Sequence, residues 1–436
     1  MKRISAAPEE ADIVDLSHEA MGVARVDGKA VFVADALPGE RVVMRRVARH
    51  RNYDHAVLES VLVASPDRRP AECPHFGTCG GCALQHLAPA AQLAFKQGQL
   101  LENLARLGGV EPQRVLPPLE GPAWGYRRRA RLGIKLVPRK GRVLVGFRER
   151  SAPYVADLHE CRVLAGPAGT LMDPLAALVA GLAIASRVPQ AEVAVADDAC
   201  AIVLRVLDEP GEADLEALRG FERERQVRIY LQPGGVDTVR PLVPGPPPLE
   251  YALPRFDVRI RFEPTDFIQV NGALNERMVA QAVELLGAAS GDRVLDLFCG
   301  LGNFSLPLAR QAGRVTGVEG DPGLVARARE NAALNGLGNV EFHAADLAAD
   351  TSAAPWARDG YARVLLDPPR AGAREVLPVV ARSGADRVVY ISCHPGSLAR
   401  DAGLLVREHG YRLVSAGVMD MFPHTTHVEA MAVFER

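Results

Sequence analysis

From about Glu263 onward the chain repeats one pattern: an apolar β-branched run, a short loop, then an alanine-rich stretch. The runs are D-R-V-L-D-L-F, R-V-T-G-V-E, N-V-E-F-H-A, R-V-L-L-D and R-V-V-Y-I-S. Largely apolar runs of this length read as buried strands, and strands separated by helices pair in parallel. The spacing therefore predicts a doubly wound, Rossmann-like α/β domain over 263–436. Such a sheet binds ligands outside the carboxyl ends of its strands, so chemistry is sought there.

The first run leads into D-L-F-C-G-L-G-N-F, which puts Gly300 and Gly302 in the first crossover turn. Glycines there let a ligand approach the amides of the following helix. The next strand ends in Glu319, suited to a ribose hydroxyl pair, and the third is followed by Asp346, suited to an adenine amino group. Ser305 stands where a dinucleotide loop would carry a third glycine, so S-adenosylmethionine suits the loop better than NAD. The fourth strand ends in Asp367-Pro368-Pro369-Arg370, where two prolines impose a rigid extended edge beside the pocket. D-P-P loops also serve transfer to amino groups, so an N-methyltransferase is an alternative on this motif alone.

The fifth strand ends in V-V-Y-I-S-C-H-P-G-S-L, and M-F-P-H-T-T-H-V-E follows downstream. A thiol at such a strand end and a carboxylate between Val428 and Ala430 suggest covalent catalysis, with Cys393 as nucleophile and Glu429 as a partly buried base of raised pKa. Uracil C5 is too weak a nucleophile to take a methyl group directly. Thiolate addition at C6 makes C5 an enolate carbon, and a base must then remove its proton. Cys299 and Cys200 read as core, and His424 and His427 as structural, with phosphate contact the alternative for either histidine.

At 436 residues two or three domains are expected. Residues 1–66 read as short strands with a hairpin signal at Asp27-Gly28, a barrel of oligonucleotide-binding type. Residues 67–262 read as a central α+β domain, ending in a semi-rigid V-P-G-P-P-P-L-E-Y linker. Arg41, Arg45, Arg46, Arg49 and Arg51 form one basic cluster, with Tyr53 beside it. From Arg127 to Arg150 there are ten Lys or Arg against one acid, Glu149, on a hairpin turning at Lys140-Gly141. With Trp124, Tyr126 and Phe147 nearby, this stretch suits RNA phosphates and bases. The formal net charge of −2 excludes a globally basic nucleic-acid binder. M-K-R-I-S-A-A-P-E-E has no apolar leader core and no run is long enough to span a bilayer, so a cytoplasmic protein without membrane contact is expected.

In a reducing compartment, clustered cysteines point to metal. Cys73, Cys79 and Cys82 form C-x5-C-x2-C, and Cys161 can complete four thiolates. Spacing leaves zinc and a cubane iron–sulfur cluster both open, and His75, His86 and His159 allow mixed ligands.

Taken together, the chain resembles the uracil-C5 RNA methyltransferases, most closely their bacterial 23S rRNA members. The resemblance spans nearly the whole length. It includes D-L-S-H-E-A-M-G-V-A-R-V-D-G-K-A-V-F-V, similar to a TRAM barrel, the cysteine cluster, F-I-Q-V-N, D-L-F-C-G-L-G-N, D-P-P-R, S-C-H-P and F-P-H-T-T-H-V-E. It implies cofactor contacts from Gln269, Phe298, Asn303, Glu319, Asp346 and Asp367. It also implies catalysis by Cys393 and Glu429, and a [4Fe–4S] cluster on Cys73, Cys79, Cys82 and Cys161. His394-Pro395 stands where the family commonly has Asn-Pro or Asp-Pro. The implied partner is 23S rRNA, with no obligate protein partner and a monomeric state. Another rRNA uridine and the tRNA T-loop are alternatives, although the family's tRNA enzymes generally lack the cluster and the barrel. A non-catalytic iron–sulfur RNA-binding protein is the reading from another class.

Overall fold

The structure, a computed structural model, describes residues 2–3 and 7–436, so the leader reading of the first ten residues lies partly outside it. The chain forms two compact units. One comprises Met1–Gln99, Glu149–Pro153 and Phe422–Thr426, the other Leu100–Arg148, Tyr154–Met421 and His427–Arg436.

In the first unit, the strands are β1 (Lys2–Arg3), β2 (Glu9–Leu16), β3 (Met21–Val26), β4 (Lys29–Ala34), β5 (Arg41–Arg49) and β6 (Tyr53–Val63). They pair in the order β1-β5-β2-β3-β4-β6, and β5 also pairs with β6, closing β2 to β6 into a five-stranded barrel. The β3–β4 hairpin turns at Asp27 and Gly28, both at positive φ (52° and 75°), as its sequence predicts. Alternate residues such as Ile13, Ala24, Val31, Val33, Val42 and Met44 fill the interior. Leu84 and Leu87, just before α1 (Pro89–Asn103), pack with Leu16, Ala20 and Leu37 in a second small core.

The second unit holds two large sheets. After β7 (Arg114–Val115) come β8 (Arg129–Val137), β9 (Arg142–Gly146), β10 (Gln190–Val195), β11 (Cys200–Arg205), β12 (Arg228–Gln232) and β13 (Arg240–Pro241). These form a mixed sheet ordered β13-β12-β11-β10-β8-β9, accompanied by α2 (Met172–Gly181) and α3 (Glu212–Arg225). β14 (Leu249–Leu253) and β15 (Val258–Phe262) make a hairpin, so the end of the expected linker is strand.

The C-terminal helices are α4 (Gly272–Leu286), α5 (Ser305–Ala309), α6 (Pro322–Leu334), α7 (Leu377–Arg382) and α8 (Pro395–Arg407). The strands among them are β16 (Arg293–Leu297), β17 (Arg314–Glu319), β18 (Val340–Ala344), β19 (Arg363–Leu366), β20 (Arg387–Ser392), β21 (Arg412–Met419) and β22 (Glu429–Glu435). Their order is β18-β17-β16-β19-β20-β22-β21-β7. The five runs read from sequence are the parallel strands β16 to β20, and β22 enters antiparallel beside β20. Among the described residues, no helix is long and apolar enough to cross a membrane.

Candidate active site

All five parallel strands deliver their carboxyl ends to one edge of the sheet. At the end of β16 the chain turns through Phe298 (φ 65°), Gly300 (φ 54°) and Gly302 (φ 91°). A Cβ added at Gly300 would meet nothing within 4 Å, so the loop presents open space there. Glu319, ending β17, accepts the Gly300 N–H on Oε2 (3.1 Å) and the Asp321 N–H on Oε1 (3.1 Å). These bonds fix the carboxylate and leave each oxygen a lone pair for a ligand. Asp346 is exposed two residues past Ala344, which pairs with Glu319, and it caps the Ala348 N–H at 2.9 Å.

Asn303 is more committed than its sequence suggests. Its Oδ1 accepts from Tyr251 (3.0 Å) and Asn275 (3.0 Å), and its Nδ2 donates to Asn275 Oδ1 (2.9 Å). One amide N–H is left to give. Buried Asp296 on β16 accepts a 2.5 Å bond from Ser305 Oγ. Burial pushes its carboxyl up to about 7, with Asp367 and Glu319 adding repulsion and Ser305 opposing. Asp367 follows β19, and Gln269 Nε2 donates to its Oδ2 at 3.3 Å. Burial raises Asp367 to about 7 as well.

Cys393 follows β20. Ser392 pairs with Ala430, so continuing the antiparallel register sets Cys393 across from Glu429, the buried first residue of β22. The thiol is not pre-activated. Burial, then Glu429 and Asp367, push it up to about 11, while the Arg370 guanidinium and a backbone hydrogen bond pull the other way. The Arg370 effect was missed from sequence, where the residue appears only as the end of D-P-P-R. His394 explains the variant motif: its Nδ1 accepts the Ser397 N–H at 3.1 Å and caps α8, a task Asn or Asp would otherwise perform.

Cys299 and Cys200 are core. They are 3% and 2% exposed; burial holds the first thiol well above its ordinary value and pushes the second up to about 12. His424 is held through its backbone. Its carbonyl accepts the Ala83 and Leu84 N–H groups and its own N–H donates to Gln92. His427 is exposed.

Cys73, Cys79 and Cys82 lie in the first unit and Cys161 in the second. Turn bonds from Phe76 N to the Cys73 carbonyl and from Cys79 N to the His75 carbonyl shape the segment. Gly81 N–H points at Cys79 Sγ (3.4 Å), the sort of donor that stabilises a thiolate ligand. Among the described residues, no group of three or more His, Cys, Asp or Glu is gathered to hold a metal ion.

A doubly wound sheet with one antiparallel insertion, a glycine turn answered by a carboxylate on the next strand, and a thiol across from a carboxylate define a methyltransferase-type α/β domain. Residues 253–436 match the family described as tRNA (Uracil-5-)-methyltransferase, and residues 9–53 match the TRAM domain. The chain is 53% identical to the 23S rRNA (uracil(1939)-C(5))-methyltransferase RlmD of Xanthomonas axonopodis pv. citri, covering 100% of this chain and 98% of that one. The RlmD of Alkalilimnicola ehrlichii is also 53% identical, with the same coverage. Among solved structures, the tRNA (uracil-54, C5)-methyltransferase of Pyrococcus abyssi, in complex with S-adenosyl-L-homocysteine, shares the fold. Its TM-score is 0.74 at 24% identity, over 98% of this chain and 99% of that one. The chain belongs to the uracil-C5 RNA methyltransferase family.

Proposed function

We propose that this protein methylates C5 of a uridine in 23S rRNA, with the uridine named for its relatives, 1939, as the target. The observation that carries the reading is the juxtaposition of Cys393 and Glu429 across the ends of β20 and β22. The Cys393 thiolate adds to C6 of the uracil, which saturates the 5,6 bond and loads C5 with electron density. The thiol's proton has two carboxylates, Glu429 and Asp367, within electrostatic reach. S-adenosylmethionine, when bound, supplies the electrophilic methyl group that C5 takes. Glu429 then removes the C5 proton, the 5,6 double bond re-forms and the thiolate leaves.

The open space over Gly300 and the fixed Glu319 carboxylate fit this cofactor, and Gln269, Phe298, Asn303, Asp346 and Asp367 are the remaining residues that would hold it. In this reading 1–66 serves as the RNA-binding barrel, 67–262 as the central domain and 263–436 as the catalytic domain. Cys73, Cys79, Cys82 and Cys161 would hold a [4Fe–4S] cluster with a structural or RNA-positioning role, since methyl transfer needs no electron carrier. Their thiolate chemistry and the Gly81 donor support that assignment. Stoichiometric zinc without iron or acid-labile sulfide in anaerobically purified protein would overturn it.

The test of the activity is RNA carrying 5-fluorouridine at the target, which has no C5 proton to remove. A covalent adduct mapping to Cys393 is expected. Cys393→Ala should bind RNA yet form no adduct, and Glu429→Gln should accumulate a methylated adduct on unmodified RNA. An adduct at Cys299, or methyl transfer by Cys393→Ala, would refute the assignment. Parallel reactions with unmodified 23S rRNA, 16S rRNA and tRNA identify the substrate.

A further inference from the structure

A cavity of about 490 Å³ in the first unit is unused by the chemistry above. Asp35, Arg68, Arg69, Phe76 and His86 line it, and among the described residues no cysteine does. Its walls are fixed. Arg68 pairs with Glu40 (2.5 and 2.7 Å) and donates to the Asp35 carbonyl at 2.8 Å. The Asp35 carboxylate pairs with Arg150 at 2.5 Å. Arg69 N–H donates to the His86 carbonyl at 2.9 Å, tying the two sides of the cavity together. The Phe76 and His86 rings lie 5.4 Å apart at a tilt of 39°.

His86 is the unexplained group. It is 4% exposed, and neither ring nitrogen has a hydrogen-bond partner. A buried side chain with a donor and an acceptor both unmet calls for a ligand. A cation is ill suited, because Asp35 is already neutralised by Arg150 and two more guanidiniums line the wall. A simple anion would meet only the exposed Arg69, because Glu40 answers Arg68 and the imidazole is uncharged. Burial pushes its pKa down to about 4. What fits is a flat neutral group with a π face and a donor–acceptor edge. The volume falls in the range of about 300–1,000 Å³ typical of sites for such molecules.

We propose that this cavity takes an unstacked base of the RNA substrate, distinct from the uridine to be methylated, with His86 on the base edge, Phe76 against its face and Arg69 at the adjoining phosphate. Extruded bases held by aromatic stacking and edge hydrogen bonds are the usual currency of RNA recognition. The inference rests on the RNA-modifying reading above and deepens it.

The test uses the full-length protein and a 23S rRNA fragment containing the target uridine, with each other nucleotide replaced in turn by an abasic residue. Binding is read by fluorescence anisotropy without methyl donor. One abasic position should weaken wild-type binding about tenfold, and His86→Leu should weaken binding of intact RNA about tenfold. In His86→Leu that same abasic position should cost nothing further, while kcat at saturating RNA stays unchanged. Identical abasic profiles in the two proteins, or wild-type binding by His86→Leu, would overturn the proposal. If His86→Leu loses its cooperative thermal transition, Arg69→Ala and Phe76→Leu take the same scan with the same criteria. Because the readout is binding, a protein that passed the scan but methylated no uridine would refute the activity and leave this site standing.

Discussion

Cys393 sits in a field that opposes its own ionisation, and one cation moderates it. Burial, Glu429 and Asp367 raise the thiol to about 11, and Arg370 acts against them. The thiolate is the reactive form, so alkylation by iodoacetamide follows its fraction. In the free protein, the Cys393 alkylation rate should climb up to a midpoint near pH 11. Arg370→Gln removes the one opposing charge, so the midpoint must move to higher pH. At pH 8 its rate should fall by roughly tenfold for each unit of that shift. An unchanged or lower midpoint in Arg370→Gln would show that the guanidinium does not reach the sulfur. Local sequence reveals the thiol and its carboxylate because each stands at a strand end in an unusual motif. The balance of charges around them depends on three separate loops, and no local pattern encodes it.

The loops that carry the chemistry are coupled by a residue on α8. Asp401 is fully buried, accepts the Tyr390 hydroxyl on β20 (2.7 Å) and the Ala373 N–H (2.7 Å), and pairs with Arg400 at 2.8 Å. Arg400 in turn donates to the Ala371 carbonyl at 2.8 Å. One carboxylate thereby ties the segment after D-P-P-R to the strand that leads into Cys393. Asp401→Ala leaves a hydroxyl and an amide unsatisfied and should cost about 3 kcal/mol in urea denaturation. Asp401→Asn keeps an acceptor and should cost less. It should still lower kcat roughly ten- to hundredfold with KM for RNA little changed, because small misplacements of reacting groups are expensive. A raised KM at constant kcat would place its role in binding instead. At this scale the five parallel strands are plain in the sequence, since each is a short, largely apolar run followed by a loop and a helical stretch. The edge strand β7 is not: it is two residues long and pairs with β21, about 300 residues away, at Ser415↔Arg114. Pairing across such separations leaves no local periodicity to read. His394 is intermediate, since a histidine before proline at a helix start is a readable cap only once the helix is known.

Over the whole molecule, the charge pattern read from sequence is largely cancelled in the fold. The stretch from Arg127 to Arg150 carries ten cations and one acid, yet strand pairing brings acids to it from elsewhere. Arg128 meets Asp197 (2.7 Å), Arg131 meets Glu192 (2.8 Å), Arg142 and Lys140 share Asp157, and Arg150 meets Asp35. In the barrel, Arg41, Arg45 and Arg46 pair with Glu10, Glu59 and Glu9. Those pairings weaken the sequence reading of two broadly phosphate-binding surfaces. Among the described residues, exposed Lys135, Arg139 and Arg148 face no acid, and they are the hairpin cations most available to phosphate. For single-stranded RNA, each phosphate neutralised contributes about −0.7 to the slope of log K against log salt. The hairpin's share should thus be near −2, not the roughly −7 that ten free cations would give. Titrations of the RNA fragment at several salt concentrations measure this by difference. Lys135→Gln and Arg139→Gln should each make the slope shallower by about 0.7. Asp157→Asn, which releases Lys140 and Arg142, should steepen it, whereas Arg142→Gln should leave it nearly unchanged. Equal losses from Arg142→Gln and Arg139→Gln would mean that RNA displaces the acids, and that the sequence count, not the folded pairing, governs affinity.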